Sequence, residues 1–170
     1  ASADAVITSG GVSVGEADHT KRIMAELGDV LFWRIAMRPG RPMAIGRIAA
    51  RGHEAILFGL PGNPVAVMVT FYAFVRDALL KLSGVAPVSP LPRFRVPCVT
   101  PLKKRPGRSE FQRGVLFHEN GEWKVRATAS QGSGVLRSMS EANCLIVVEP
   151  ERGNVEPGEA VDVQPFEGLV

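Results

Sequence analysis

The sequence predicts an α/β domain followed by a small all-β domain. In residues 1–84, strand-like and helix-like segments alternate, and glycine stands at the junctions between them. That alternation is typical of an α/β layer built on a largely parallel sheet. Beyond a proline-rich link at residues 86–92, short β-like runs separated by turn residues are typical of a small antiparallel barrel or sandwich. We place the domain boundary between residues 86 and 87.

The first half contains four predicted strands and two predicted helices. The strands are Ala5–Thr8, Val30–Met37, Met43–Ile48 and Ala55–Phe58. The first helix is Asp18–Leu27, which Gly28 closes. The second begins at the N-cap Asn63, has Pro64 in its first position and ends at Leu82, shortly before Gly84. Its first three turns are apolar nearly all round, so we expect it to be deeply buried.

The second half contains five predicted strands and no long helix. The strands are Phe94–Val99, Phe111–Phe117, Trp123–Ala127, Cys144–Val148 and Ala160–Val163. Turn signals separate several of them, as in Asn120-Gly121 and Pro157-Gly158.

Composition narrows the classes of function. The 170 residues are 45% hydrophobic and 22% charged, and the net charge is +3, so a global bias towards nucleic acid is absent. Cys98 and Cys144 form no C-x-x-C motif, which argues against zinc and favours a reducing cytoplasm. The longest apolar stretch, Val65–Val75, is too short to span a bilayer. The chain lacks an initiator methionine, and we expect it to be the C-terminal piece of a longer protein.

A glycine-rich loop joins the first strand to the first helix. In open α/β sheets, ligands bind at this position, and backbone N–H groups there can hold a phosphate. The loop matches no P-loop or dinucleotide fingerprint, and an ordinary turn explains it equally well. Glu16 and Asp18 follow the loop, where they either cap the helix or hold a metal ion, and their spacing alone favours the cap.

Two proline-glycine loops follow, at Met37–Pro42 and Leu60–Pro64. Proline fixes φ and glycine permits close backbone approach, so both loops are rigid enough to cradle an anion. Arg38 and Arg41 flank the first loop, and Arg34 shares a face with Arg38 if the strand stays regular. Guanidinium groups bind oxyanions with forked donors, but exposed arginines on a solvated face explain the pattern equally well.

A basic stretch between residues 93 and 113 is opposed only by Glu110. A patch for nucleic acid or an acidic partner is conceivable there, but a solvated face explains it better because stacking aromatics are sparse. The loop Gln131–Gly134 is compatible with an anion contact, although a simple turn is the better explanation.

Taken in order, the motifs closely resemble the molybdopterin molybdenumtransferase family, which includes bacterial MoeA and the E domain of gephyrin. They are Thr8–Asp18, Arg38–Pro42, Gly59–Pro64, Gly107–Arg113 and Gln131–Ser133. The resemblance runs through essentially all of the chain. It implies the C-terminal half of a three-layer α/β/α, MogA-like pterin-binding domain over residues 1–86, followed by a C-terminal β-barrel domain over residues 87–170.

The resemblance also implies the reaction, which is insertion of molybdate into adenylylated molybdopterin with AMP released and Mg²⁺ assisting. It assigns Asp18, Arg34 and Arg38 to catalysis, and Asp18 to the metal. It places Arg38, Arg41, Arg113 and Ser133 around molybdate. The residues implied to bind the pterin nucleotide are Ser9, Gly10, Gly11, Ser13, Gly15, Pro61, Gly62, Asn63 and Pro64. The family usually has lysine at positions 34, 38 and 41, so arginine here keeps the charge but replaces a point charge with a fork.

The expected partners follow from the same resemblance. They are the pterin nucleotide, a second copy in a homodimer and an upstream MogA-like adenylyltransferase, with neither nucleic acid nor membrane involved. Because the family's N-terminal part is missing, we expect no turnover by this chain alone. Two other hypotheses are a non-catalytic scaffold that anchors partners, as gephyrin does, and a nucleic-acid module on the basic stretch. The retained cationic loops favour the enzyme.

Overall fold

The structure is a computed structural model that describes residues 3–12, 23, 26, 28–50 and 52–166. Within these residues the strands are β1 (Ala5–Ser9), β2 (Gly28–Arg34), β3 (Met37–Arg38), β4 (Pro42–Ala50), β5 (His53–Leu60), β6 (Phe94–Pro97), β7 (Ser109–Glu119), β8 (Glu122–Ala127), β9 (Cys144–Val148) and β10 (Ala160–Pro165). The helices are α1 (Pro64–Thr70), α2 (Arg76–Leu82) and α3 (Arg137–Ser140), and a π-helical turn at Phe71–Val75 joins α1 to α2.

The chain divides into two compact units. The first comprises residues up to 35 together with 40–88, and the second comprises residues 36–39 together with those from 89 onward. The predicted boundary after residue 86 lies two residues before the observed break after Val88. The transfer of residues 36–39 into the second unit was not predicted.

The sheet of the first unit has the strand order β1-β5-β4-β2. β1 and β5 are parallel, whereas β4 pairs antiparallel with both β5 and β2. The prediction of a largely parallel sheet is therefore wrong for the described strands. The cause is the tight turn at Gly52, where φ is +81°, because a connection this short can join only antiparallel neighbours.

The second predicted helix is confirmed from Pro64 to Leu82, with the π-helical turn in its middle. Asn63 stands at the N-cap position with extended backbone, although its side chain makes no capping hydrogen bond. Met43 and Phe58 of the sheet pack with Val75 of the π-helical turn in one core cluster. Of the first predicted helix, only Ile23 and Glu26 are described, and both are helical. No helix in the described ranges has the length and apolar character needed to cross a membrane.

The second unit is a small, predominantly β domain, as predicted, and it also contains the four-residue helix α3. β7 pairs with β9 on one side and with β8 on the other, and β10 connects β9 to β6. A bridge between Cys98, just after β6, and Val125 of β8 brings the ends of this series together. The side chains of Cys98, Val125, Cys144 and Ile146 are fully buried in the resulting core.

The predicted strand Val30–Met37 is wrong at its end. β2 stops at Arg34, and the Ile35 N–H donates to the Arg41 carbonyl (2.8 Å), which closes the following loop. The Ala36 carbonyl accepts a hydrogen bond from the Ser109 N–H (2.9 Å), so the chain enters the second sheet as β3 beside β7. Arg34 and Arg38 therefore lie in different sheets and not on one face of one strand.

Gly46 of β4 tests the packing of the first sheet. A Cβ built there would lie 2.2 Å from the Asp29 carbonyl oxygen, which is backbone and cannot move aside cheaply. We expect Gly46→Ala to destabilise the first unit by more than about 2 kcal/mol. Urea unfolding followed by Trp33 fluorescence in a Trp123→Phe background would measure this loss. Gly134→Ala is the control, since its Cβ would meet nothing within 4 Å, and equal losses for both variants would refute the prediction.

Because of Cys144, the stability of the second unit changes with pH in the alkaline range. Burial raises the pKa of its thiol from 9.0 to about 12. Above pH 9 the unfolded thiol ionises while the folded thiol stays protonated, so stability falls with rising pH by up to about 1.4 kcal/mol per unit until the folded pKa is passed. We expect Cys144→Ala to flatten this dependence of stability on pH between pH 9 and pH 11. Unfolding monitored by Trp123 fluorescence, in a Trp33→Phe background, would measure the stability at each pH. If Cys144→Ala leaves the dependence of stability on pH unchanged, the Cys144 thiol is not its cause.

Candidate anion-binding site

The carboxyl ends of β1 and β5 lie side by side in the first unit. Ser9 is opposite Leu60, and the Gly10 N–H donates to the Leu60 carbonyl (3.0 Å). Gly10 and Gly11 have φ values of +88° and +73°, a region that favours glycine. A Cβ at Gly62 would lie 3.6 Å from the Gly10 Cα, so the two glycine loops are adjacent.

The structure thus brings together two of the segments predicted to bind the pterin nucleotide, Ser9–Gly11 and Pro61–Pro64. Three further predicted residues, Ser13, Gly15 and Asp18, lie outside the described residues. Arg34 and Arg41 are exposed residues of the first unit, whereas Arg38 belongs to the second.

Arg38 and Arg113 line a cavity of about 330 Å³ in the second unit, which we call the first cavity. Its other polar lining residues are Lys103, Glu110, Gln112, Thr128 and Gln131. The pairing of β3 with β7 sets Arg38 opposite Glu110 in register, which fixes the backbone of Arg38 beside this cavity.

Arg113 is only 1% exposed, yet its guanidinium is held by neutral oxygens. Its Nε donates to Ser138 Oγ (3.1 Å), and its Nη2 donates to the carbonyls of Ser130 (3.3 Å) and Gly132 (3.1 Å). No described carboxylate pairs with it, and Nη1 makes no hydrogen bond to the described residues. Burial, and then the charge of Arg38, lowers the pKa of the Arg113 guanidinium. The charge of Arg113 therefore has no described carboxylate partner, and an anion in the cavity would stabilise it.

Gln131 fixes Arg113 from the open edge of β7. Its Oε1 accepts from the Arg113 N–H (2.9 Å), and its Nε2 donates to the Arg113 carbonyl (2.9 Å). Nε2 also donates to the Thr128 carbonyl (3.1 Å). The amide thus gives the Arg113 N–H the partner that neither β3 nor β8 supplies, whereas the Arg113 carbonyl also accepts from the Thr128 N–H (2.9 Å). The sequence analysis treated the loop Gln131–Gly134 as compatible with an anion contact, but it did not predict that Gln131 holds Arg113.

Glu110 is the buried acid of the site, at 3% exposure. Its Oε1 accepts from Arg108 Nε (3.0 Å) and Nη2 (2.9 Å) and lies 4.0 Å from Arg38 Nη1. Its Oε2 accepts from Gln112 Nε2 (3.2 Å). Sequence reasoning missed this role, and the signal was its position as the single acid in the basic stretch.

Ser133 follows Gly132 in the loop whose carbonyls hold Arg113, but it is not among the residues that line the first cavity. Within the described part of the chain, no three His, Cys, Asp or Glu side chains cluster in a way that fits a metal ion.

Comparison with known proteins relates both units to one family. The family described as a probable molybdopterin binding domain matches residues 1–81, and the MoeA C-terminal region (domain IV) matches residues 95–166. A molybdopterin molybdenumtransferase of Haemophilus influenzae is 46% identical over 99% of this chain and 41% of its own length. Gephyrin of Dictyostelium discoideum is 33% identical over 93% of this chain and 25% of its own length.

Solved structures agree with these matches. The molybdopterin biosynthesis MoeA protein of Pyrococcus horikoshii has a TM-score of 0.72 at 28% identity, over 97% of this chain and 38% of that one. A molybdenum cofactor biosynthesis protein of Pyrococcus furiosus has a TM-score of 0.65 at 27% identity, over 96% of this chain and 49% of that one. The chain spans about two fifths of the length of the curated transferases it matches. It belongs to the MoeA family of molybdenum cofactor biosynthesis proteins.

Proposed function

We propose that the protein inserts molybdate into adenylylated molybdopterin, with release of AMP, as the C-terminal portion of a molybdopterin molybdenumtransferase. The observation that carries this proposal is the guanidinium of Arg113, which is buried without a described carboxylate partner in a cavity that also contains Arg38. The names of the relatives support the same reaction class.

Molybdate is a tetrahedral dianion, and the first cavity suits it for two reasons. The Nη1 group of Arg113 and the guanidinium of Arg38 are donors available to an oxyanion, and Lys103 adds a third cation to the lining. Arg113 is already fixed by Gln131 and Ser138, so little reorganisation is needed when the anion binds. Positive charge here also offsets the repulsion between molybdate and the phosphate of the pterin substrate.

The loops at Ser9–Gly11 and Pro61–Pro64 bind the pterin nucleotide in this proposal. Their glycines expose backbone N–H groups at the carboxyl edge of a sheet, where phosphates commonly bind. Arg34 and Arg41 keep the roles that the resemblance implies, Arg34 in catalysis and Arg41 at molybdate. Ser133, which follows a loop residue that holds Arg113 but does not line the first cavity, keeps its implied role at molybdate.

Mg²⁺ enters the proposal through Asp18, which the resemblance assigns to the metal. The described residues contain no cluster that fits this ion, and Asp18 lies outside them. The same resemblance supplies three further expectations, which are a homodimer, a cytoplasmic location and a MogA-like adenylyltransferase as the upstream partner. The buried free thiols of Cys98 and Cys144 are compatible with a reducing compartment.

Replacing Arg38 tests the molybdate site. The side chain of Arg38 is 58% exposed, so we expect Arg38→Gln to fold normally. Loss of one charge-assisted contact should raise the molybdate Kd of the full-length protein by about tenfold or more, measured by isothermal titration calorimetry. Arg95→Gln is the matched control, because that arginine is 70% exposed and lines neither of the cavities described for the second unit. Equal affinities for the two variants would refute the molybdate role of Arg38.

Replacing Asp18 tests the chemical step. We expect Asp18→Asn in the full-length protein to bind adenylylated molybdopterin normally and to release AMP at least about 100-fold more slowly, since the carboxylate is lost while the shape is kept. Single-turnover AMP release, followed by chromatography, measures this rate. Release at the wild-type rate would remove Asp18 from the mechanism.

A further inference from the structure

A second cavity, of about 540 Å³, opens in the same unit beside the first. Its lining consists of polar and charged residues, namely Arg38, Lys103, Lys104, Arg105, Arg108, Glu110 and Asn154. Arg38, Lys103 and Glu110 line both cavities. Positive charge therefore dominates the second cavity as well, against one carboxylate.

Two of the cations in the second cavity are already engaged. Lys104 is buried, and its Nζ donates to the carbonyls of Pro150 (3.1 Å) and Arg152 (2.5 Å). Arg108 gives two hydrogen bonds to Glu110. By contrast, the side chains of Lys103 and Arg105 make no hydrogen bond or ion pair to the described residues. They are therefore available to a ligand.

The walls of the second cavity decide the class of ligand. They include no aromatic or aliphatic side chain, and the cations and the amide among them are hydrogen-bond donors suited to an oxyanion. The volume exceeds that of the first cavity, and the available cations are suited to several phosphate oxygens at once.

We propose that the second cavity binds a phosphate group, either of a phosphate ester or of a diphosphate, and that Arg38 couples it to the first cavity. The coupling, but not the phosphate site, rests on the proposed function. One guanidinium cannot give its full set of donors to anions in both cavities, and two anions beside it repel each other. A phosphate in the second cavity therefore weakens molybdate binding in the first, and the effect is reciprocal.

Calorimetry on the purified protein at constant ionic strength tests the phosphate site, with sodium diphosphate, inorganic phosphate and AMP as probes. We expect diphosphate to bind, and Arg105→Gln to weaken it by about tenfold or more while Arg95→Gln does not. Arg105→Lys should recover part of the loss, and the unfolding midpoint of each variant shows that it is folded. Absence of diphosphate binding, or equal losses in the Gln variants, would overturn the proposal.

Comparison of the probes identifies the source of the phosphate. If AMP binds as tightly as inorganic phosphate, the ligand is a phosphate ester that is recognised by its phosphate group. If only diphosphate binds, the ligand is a phosphoanhydride. AMP binding much tighter than that of both other probes would mean that the base is recognised, which contradicts a site that recognises the phosphate alone.

A molybdate titration with and without saturating diphosphate tests the coupling. We expect diphosphate to raise the molybdate Kd at least about threefold in the wild type, and by less in Arg38→Gln. Diphosphate binding without any molybdate binding would refute the proposed function and leave the phosphate site standing. Molybdate binding without diphosphate binding would refute the phosphate site and leave the proposed function standing. A molybdate Kd that diphosphate does not change would refute the coupling.

Discussion

The candidate site depends on one interaction, the clamp that Gln131 forms on the backbone of Arg113. β7 is covered by β3 at its start and by β8 at its end. In the gap between them the Arg113 N–H has no partner in either strand, while the Arg113 carbonyl accepts from the Thr128 N–H, just after β8 (2.9 Å). The side-chain amide of Gln131 bonds both groups and so ties the loop of residues 130–136 to the strand. Carbonyls of that loop then hold the guanidinium of Arg113, so one amide positions both the cation and the shell around it.

Glu110 is the one described carboxylate that lines the two cavities, and its hydrogen bonds decide whether it opposes anion binding. A buried carboxylate beside a site for dianions opposes binding, unless its charge is already used by other cations. Arg108 uses it, through two hydrogen bonds to one oxygen, while Gln112 occupies the other oxygen. Arg38, at 4.0 Å, is attracted but not hydrogen-bonded, and thus remains available to a ligand. The acid therefore orders the basic cluster without neutralising the cations that face the cavities.

Local signals in the sequence predicted most elements, and long-range pairing explains the rest. Asn63-Pro64 and Gly84 marked the ends of the long helix because capping and φ preferences are local. The direction of β4 depended on how short its turn to β5 is, and the alternation of elements gave no information on that. The roles of Glu110 and Gln131 arise only when β7 meets β3 and the loop at residues 130–136. In the sequence, Glu110 stood out only as the single acid of a basic stretch, and Gln131 only as the first residue of its loop motif.

The crossing of residues 36–39 explains how a cation from the first part of the sequence becomes part of a site in the second unit. Two register pairs, Met37 with Ser109 and Arg38 with Glu110, attach this short segment to the edge of β7. Met37 is buried there, so apolar packing holds the segment as well as its backbone pairing. An arginine on a free loop would lose much side-chain and backbone entropy when it bound an anion. Arg38 has already lost its backbone freedom on folding, so the cost of ordering it at a ligand is confined to its side chain.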